Sequence, residues 1–465
     1  MIIIHIPNSN GKAINVTMKL TPSVRQIIAI ALPIMIGSAA QNVLQLSDSI
    51  FLYHLSETDF AAIGFVGVFY LMVNAIGYGF SKGGQIIIAN MSGRQDIEGI
   101  RRNFQALGLF EAVLATVMFL FMYFISPWFF GLFLQNQDVL HACTEFIKYR
   151  SFGVFFSYIG ITLIALYTGI AKTKFIMIET IFLLVVNGIL NYALIFGKWG
   201  LPAMGIAGSA LASTIAEAMG ALVFMLYLYF DKNVKHLNIF TKFKLEFNLI
   251  KNQFKLSAPI VTQNFVSLGS WFLFFAIIED MGERALAISN LVRIVYLILS
   301  IPTWGFSSAT NTIVGNLMGQ ANFRPIMASM KKTALVCFGM TMIIALPIII
   351  WPDVILYPLL GSTDMTLIND SHTTLYVLFA IIAFNSIISI YVNGIAGVGA
   401  TMTGLKIQTI SAIAYLFMIY LVVDVWHSTL NVAWSTEIIY WLVQMLGVIW
   451  FFSKVKFNKL TYGTE

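Results

Sequence analysis

The chain has 465 residues, of which 58% are apolar and 10% are charged, and its mean hydropathy is +0.84. Soluble globular domains carry about 25% charged residues, so this composition excludes an ordinary soluble protein and indicates one that crosses the membrane several times. The apolar runs are continuous over roughly 18 residues or more instead of alternating with a period of two, which argues against a membrane β-barrel.

The N-terminal residues MIIIHIPNSNGKAINVT lack the basic segment, apolar run and small-residue cleavage site of a signal peptide, so we predict none. Met18 is an alternative start of translation. After an N-terminal tail of residues 1–19, apolar runs of membrane-spanning length predict an all-α integral membrane protein with twelve transmembrane helices. The predicted spans are 26–53, 59–92, 102–126, 140–168, 175–197, 205–230, 254–279, 285–318, 329–351, 372–397, 404–424 and 431–453.

The basic residues are distributed unevenly between the two sides of the predicted membrane. If the N-terminus is cytoplasmic, all but five of the 27 Lys and Arg residues fall in cytoplasmic segments, the exceptions being Lys148, Arg150, Lys198, Arg284 and Arg293. Because cytoplasmic loops are enriched in Lys and Arg, we predict that both termini lie in the cytoplasm. The Lys-rich segment 231–253 is then a cytoplasmic linker, whose charge sets the topology and does not indicate nucleic-acid binding.

The second half of the chain repeats residues of the first half at a spacing of 226 positions. The matches include Pro33-Ile34 with Pro259-Ile260, Gly79-Phe80-Ser81 with Gly305-Phe306-Ser307, and Asn90 with Asn316. Six helices repeated in one orientation predict two lobes related by a pseudo-two-fold axis along the membrane normal, as in transporters. We predict an N-lobe at 20–230, a C-lobe at 254–453 and a cytoplasmic tail at 454–465.

The first predicted span carries an acid near its end, in LPIMIGSAAQNVLQLSD at 32–48. A charged side chain at the centre of a membrane helix costs roughly 2.5–3.5 kcal/mol on insertion scales, so an intramembrane acid is a functional residue by default. Gln41 and Gln45 fall on the same helical face as Asp48. This polar stripe predicts one wall of an aqueous cavity.

Three further polar residues of the N-lobe are predicted to lie near Asp48. Glu217 is halfway along the sixth span, and Asn187 and Asn191 lie one turn apart on the fifth. Two carboxylates close together in a low-dielectric site do not both ionise easily, so one takes a proton or shares a cation. The pattern indicates coupling to H⁺ or Na⁺, with Asp48 as the candidate Na⁺ ligand. Hydrogen bonding between helices is the alternative role for Glu217 and the two asparagines.

The C-lobe has a different chemistry at the matching positions. Gln41, Gln45 and Asp48 correspond at the repeat spacing to three residues without an acid, which are Ser267, Trp271 and Phe274. Arg293 is the basic residue inside this lobe, and it either faces a cavity or extends to the membrane surface. We predict a substrate cavity lined by residues of both lobes, namely Gln41, Gln45, Ser267, Trp271, Phe274 and Arg293. Glu111, in the middle of the third span, has no predicted role.

Several of these motifs resemble the multidrug and toxic compound extrusion (MATE) family, nearest its bacterial NorM and DinF-like members. They are Leu32-Pro33 with Gln41 and Asp48 on the first span, GYGFSKGGQIIIANMSGRQD at the end of the second span, and NGILNYALIFGKWGLPAMGIAGSALAS at 187–213. The likeness runs from residue 20 to residue 454. It implies a secondary antiporter with two lobes that expels amphipathic, usually cationic drugs in exchange for H⁺ or Na⁺.

The resemblance also implies roles for individual residues. Asp48 matches the coupling aspartate of the family, Asn187 matches an asparagine of the fifth span, and Asn191 stands where some members have aspartate. The NorM pattern places further acids on spans seven and ten, where this chain has Ser267 and Asn385. We therefore add Asn385 to the substrate cavity and expect coupling through the N-lobe alone.

Three other functions fit the sequence less well than an antiporter. A flippase for lipid-linked saccharides would have a more basic cavity than Arg293 alone supplies. A membrane enzyme is disfavoured because all six histidines fall in predicted tails, loops or span edges and no HExxH or GxSxG motif occurs. A passive channel would not need unequal lobes. Cys143 and Cys337 lie in no metal-binding motif, so we expect no cofactor. We also expect a monomer whose partners are the bilayer and small amphipathic molecules.

Overall fold

A computed structural model describes residues 5–7, 13–15, 19–232, 234–241, 244, 246–354, 356 and 365–457, without the side chains of 5–7, 13–15, 45, 46 and 365. In this part of the chain the helices are α1 Val24–Tyr53, α2 Glu57–Arg94, α3 Ile97–Leu120, α4 Ser126–Gly131, α5 Gln137–Gly169, α6 Lys174–Phe196, α7 Gly205–Phe230, α8 Phe247–Glu279, α9 Glu283–Gly319, α10 Pro325–Ile350, α11 Met365–Gly397, α12 Thr401–Tyr420 and α13 Leu430–Lys454. A π-helical turn at Phe121–Ile125 joins α3 to α4, and another at Leu421–Val425 extends α12.

A short antiparallel hairpin precedes the helices. Strand β1, His5–Pro7, pairs with β2, Ala13–Asn15, so that Ile6 lies opposite Ile14. A two-stranded hairpin is at best marginally stable by itself in water.

The predicted membrane spans are confirmed. Among the described residues, twelve helices are long and apolar enough to cross a bilayer, with Ile97–Gly131 counted as one span. Several are longer than predicted, and the longest, α2, has 38 residues. At 1.5 Å per residue this helix is about 57 Å long, more than the roughly 30 Å hydrocarbon core, so its ends extend into the interface.

Polar caps explain where several helices begin. The Ser56 hydroxyl accepts the Asp59 backbone N–H at 3.0 Å before α2, and an Asp96 carboxylate oxygen accepts that of Gly99 at 2.8 Å before α3. These caps satisfy N–H groups that have no partner within the helix. The short loops before α2 and α3 therefore stop one helix and start the next.

The chain divides into two compact units. Unit 1 contains residues 1–20 and 36–257, and unit 2 contains residues 21–35 and 258–465. The divisions inside α1 and α8 fall close to Pro33 and Pro259, the two prolines that the repeat matches. A proline inside a helix removes one backbone hydrogen bond, which makes these points natural places for a helix to bend.

In unit 1 the helices α2, α5 and α7 pack around an apolar core. One cluster of fully buried side chains includes Val66, Phe130 and Val154, and a second includes Ile88 and Phe224. Helices approach closely where glycine replaces a side chain. A Cβ on Gly77 would lie 2.8 Å from the Tyr158 ring, so this glycine lets α5 rest directly on α2.

The segment between α7 and α8 is anchored to unit 1. The Gln105 amide donates to the carbonyl of Ile239 at 2.7 Å, and the Gln253 amide donates to the carbonyl of Asn103 at 2.8 Å. Arg102 forms an ion pair with Glu246, with Nε donating to Oε1 at 2.6 Å. The hydrogen bonds from Arg102 lower the pKa of the Glu246 carboxyl below its ordinary value. The predicted linker is therefore held on α3 by specific contacts.

In unit 2 the helices α9, α11 and α13 surround an apolar core. Its largest fully buried side chain is Trp434, whose Nε1 donates to the Ser289 hydroxyl at 3.0 Å. Phe274 packs between this tryptophan and Tyr415, with ring centroids 5.0 Å and 5.9 Å away. The first turns of α1 belong to this unit, where a Cβ on Gly305 would lie 2.8 Å from Cβ of Met35.

Candidate functional site

The predicted acid of the first span lies at the centre of a closed hydrogen-bond network in unit 1. The Asn191 amide donates to Oδ1 of Asp48 at 2.5 Å, and the Ser213 hydroxyl donates to Oδ2 at 3.0 Å. The four side chains of this Asp48 network are Asp48, Asn187, Asn191 and Ser213. Each is at most 7% exposed. An acid buried this deeply depends on such donors, since an unpaired buried charge is unfavourable by several kcal/mol.

Of the two remaining hydrogen bonds of the Asp48 network, one joins α6 to α7 and the other lies within α6. Asn187 donates to the Ser213 hydroxyl at 2.9 Å, and Asn191 also donates to Oδ1 of Asn187 at 3.0 Å. The two asparagines are four residues apart on α6, so the helical repeat places them on one face. The network therefore ties α1, α6 and α7 together through polar side chains alone.

Small residues on α7 allow this close approach. Residues 205–213 read GIAGSALAS, and Gly208 sits against the backbone of α6. A Cβ on Gly208 would lie 2.6 Å from the carbonyl oxygen of Leu194. Real Cβ atoms do not approach so closely, so any larger residue must push α7 away from α6.

We expect Gly208→Ala to weaken transport by separating Asn187 from Ser213, because the added methyl group contacts rigid backbone and costs about 1–3 kcal/mol of overpacking. The measurement is drug efflux together with thermal unfolding of the purified protein. Gly188→Ala on α6 is the matched control, since a Cβ there would meet nothing within 4 Å. Equal behaviour of the two variants would contradict this account.

One oxygen of the Asp48 network has no donor. Oδ1 of Asn191 is buried and accepts no hydrogen bond. An orphaned amide oxygen beside a carboxylate is a suitable ligand for a hard cation such as Na⁺, which prefers oxygen. Among the described residues no group of three or more His, Cys, Asp or Glu side chains could hold a metal ion.

Glu217 forms an ion pair with Arg150, a partner that was not predicted. Arg150 on α5 donates from Nη1 to Oε2 of Glu217 at 2.7 Å and from Nη2 to Oε1 at 2.5 Å. The Tyr70 ring lies under the guanidinium, 3.9 Å from its carbon to the ring centroid. The side chains of Arg150 and Glu217 are 6% and 13% exposed. This bidentate, buried ion pair gives the Glu217 carboxylate a counter-charge.

A family model described as MatE matches residues 33–193 and 259–421, which cover both halves of the sequence repeat. The chain belongs to the MATE family. The resemblance inferred from sequence motifs is thereby confirmed, and membership places the protein among membrane transporters and not among enzymes.

Relatives and solved structures agree with this assignment to the MATE family. A probable multidrug resistance protein NorM of Agrobacterium fabrum is 24% identical over 67% of this chain and 67% of its own length. A second probable NorM, of Thermotoga maritima, is 24% identical over 84% of this chain and 83% of its own. A structure described as the outward-facing conformation of a multidrug resistance MATE family transporter has a TM-score of 0.85, covering 93% of this chain and 96% of that one at 17% identity. The last likeness shows the shared fold.

Of the two other predicted residues of unit 1 in this MATE protein, the structure describes the side chain of Gln41. The Gln41 amide donates to the Tyr78 hydroxyl at 2.6 Å, and Gln41 is exposed. Gln45 lies on α1, but its side chain is outside the described residues. Gln41 is therefore accessible in unit 1, whereas Asp48 is enclosed.

The predicted residues of unit 2 fall into three environments. Ser267 and Trp271 are partly exposed on α8, and Arg293 is exposed on α9 with its guanidinium carbon 5.2 Å from the Phe275 ring centroid. Asn385 is buried on α11. The prediction that Phe274 lines a cavity is not supported, because it is 3% exposed within the apolar core. It lies three residues after Trp271 on the helix but faces α12 and α13.

Two participants were missed by the sequence analysis. Arg150 was assigned to an outer segment, although its position ten residues inside the predicted fourth span was a signal that it lies within the membrane. Ser213 was quoted only as part of a motif, and a serine on a helix of small residues gives no signal of its own. Both became visible only when the helices were packed together.

Proposed function

We propose that this protein is a secondary active antiporter that exports amphipathic, cationic drugs or toxic metabolites in exchange for H⁺ or Na⁺. The observation that carries the proposal is the environment of Asp48, a buried acid whose hydrogen-bond donors are neutral side chains. Among the described residues, no basic side chain lies within salt-bridge distance of its carboxylate. An intramembrane acid without a counter-ion is a natural binding site for a proton or a cation. The multidrug resistance proteins among its relatives support the class of cargo.

The Asp48 network explains how ion occupancy could change the conformation of unit 1. In the structure both carboxylate oxygens of Asp48 accept hydrogen bonds. A protonated carboxyl becomes a donor at one oxygen and a weaker acceptor there, so the bond from Asn191 or the bond from Ser213 weakens, and of these two donors only the Ser213 hydroxyl can accept instead. Either loss loosens the contact among α1, α6 and α7. We propose that this change alters substrate affinity, because coupling requires that ion and substrate favour different states.

Glu217 is assigned a supporting part in this proposal. Its ion pair with Arg150 fixes α7 on α5 and so positions Ser213 one turn away. Substrate-binding side chains are proposed to be the predicted cavity residues that keep some exposure, namely Gln41, Ser267, Trp271 and Arg293. We further propose a monomer in the bacterial inner membrane with both termini cytoplasmic, since the basic residues follow that topology.

H⁺ and Na⁺ are distinguished by imposing one gradient at a time. We expect proteoliposomes containing the purified protein to move a lipophilic cationic dye when a pH gradient is imposed in sodium-free buffer, because burial of the Asp48 carboxylate without an ion-pair partner among the described residues favours uptake of a proton. The orphaned Asn191 Oδ1 favours Na⁺ as the second candidate, which predicts movement driven by a sodium gradient at constant pH. Dye movement that neither gradient drives would contradict antiport by either ion.

A further inference from the structure

A buried acid also lies in unit 2, where none was predicted. Glu437 is on α13, about 10 Å along the helix from its first residue, and it is 5% exposed. Its helix packs against α11 and α12. The family pattern places acids of the C-lobe on spans seven and ten, and it gave no expectation of an acid on the last span. Unit 2 is therefore not without an intramembrane carboxylate.

Polar side chains lead towards this carboxyl from two other helices. The Tyr296 phenol on α9 is in hydrogen-bonding contact with Glu437. The Asn385 amide donates to the Tyr296 oxygen at 3.5 Å, and the Ser389 hydroxyl donates to Oδ1 of Asn385 at 2.7 Å. Ser389, Asn385 and Tyr296 thus form a chain of donors that ends on Glu437. We call these four residues the Glu437 chain.

Among the described residues, no counter-charge lies within salt-bridge distance of Glu437. The titratable groups there that interact with it are phenols, Tyr296 from α9, Tyr415 from α12 and Tyr440 from its own helix. Helices α8 and α11 each place one uncharged side chain against these phenols. Ser267 on α8 contacts Tyr440, and Asn385 on α11 contacts Tyr296. Among the described residues no Lys, Arg or His nitrogen lies within 4 Å of the Glu437 carboxylate. A single donor chain is weak compensation for a fully buried negative charge.

We propose that Glu437 is a second proton-binding site, which takes up and releases a proton during the transport cycle. The proposal rests on the proposed antiport function and adds a second ion-binding position to it. A proton fits this site better than a metal ion, because among the described residues Glu437 belongs to no group of three or more His, Cys, Asp or Glu side chains that could hold a metal ion. The acid is also connected to a surface that could sense substrate, because the Trp271 ring lies 4.8 Å from the Tyr296 ring and is partly exposed.

The proposal is tested by infrared difference spectroscopy of the intact protein in lipid, without transport. A protonated carboxylic acid has a carbonyl stretching band that disappears on ionisation. We expect wild-type protein to lose such intensity when the pH is raised, and Glu437→Gln to lack one component of it. Asp48→Asn should lack a different component. Glu279→Gln, an exposed acid at the end of α8, is the matched control and should retain both.

Tyr296→Phe tests the positioning residue of the Glu437 chain. Removing its hydroxyl should move the carbonyl band of Glu437 to higher frequency, because a hydrogen bond weakens the C=O bond. If Glu437→Gln does not fold, Glu437→Asp provides the same test, since an aspartate carboxyl there should give a displaced band. A Glu437→Gln spectrum identical to wild type would overturn the proposal. Loss of the Glu437 component together with absence of gradient-driven transport in wild type would instead overturn the proposed function and keep this site.

Discussion

Asp48→Asn is expected to reduce gradient-driven efflux by about tenfold or more while substrate binding persists. Asparagine has nearly the same shape as aspartate, but it cannot gain or lose a proton and offers one fewer acceptor oxygen to a cation. Typical coupling free energies of 1–3 kcal/mol correspond to roughly 5–150-fold changes in affinity, so loss of coupling is large enough to measure. The readouts are dye efflux from proteoliposomes and equilibrium dye binding to the purified protein.

The control for this prediction is Asp138→Asn, the same change at an exposed acid in the first turn of α5. It should leave both efflux and binding close to wild type. Efflux by Asp48→Asn that still follows the ion gradient would show that Asp48 is not the coupling residue. Loss of dye binding along with efflux would indicate a structural role, because the Asp48 network would then be needed to hold unit 1 together.

Breaking the buried ion pair between Arg150 and Glu217 is expected to have the largest effect on stability. Removing one partner of a buried pair leaves an uncompensated charge, at a cost of about 3–5 kcal/mol. We therefore expect Arg150→Met and Glu217→Gln each to lower the thermal unfolding temperature of the detergent-solubilised protein strongly. Arg150→Met should be the more damaging, since it also removes the cation–π contact with Tyr70.

The double variant separates pairing from other effects. Arg150→Met with Glu217→Gln should be less destabilised than the sum of the single changes, because no unpaired charge remains. The exposed pair of Arg284 and Asp370, with side chains 45% and 53% exposed, is the matched control. Its disruption should change stability by less than about 1 kcal/mol. Strict additivity at Arg150 and Glu217 would mean that their contact in the structure contributes little.

The membrane topology could be predicted because it depends on local composition. A bilayer requires about 20 consecutive apolar residues in every helical span, so each span is visible in the sequence as a continuous apolar run. The twelve spans were therefore recognisable without any knowledge of how they pack. Their ends were less accurate. Helix α2, for example, begins at the Ser56 cap and continues to Arg94 beyond the apolar region.

The Asp48 network was partly predictable for a related reason. Asp48 is conspicuous because an acid is rare in an apolar helix, and the spacing of Asn187 and Asn191 places them on one helical face. Which donors reach the carboxylate depends instead on contacts between different helices. Ser213 completes the network from a third helix, and no local pattern distinguishes it from the other small polar residues of α7.

The sequence by itself determined the number of spans, the duplicated halves, the family and the presence of an acid in the first span, because these follow from composition, repetition and helical periodicity. Only the tertiary structure decided which charges are paired. Glu217 meets Arg150, while Asp48 and Glu437 have neutral donors as partners. Charges interact strongly in the low-dielectric interior of a membrane protein, so the function of an acid depends on which side chains contact it. Those side chains are distant in the sequence, and only the packing of the helices brings them together.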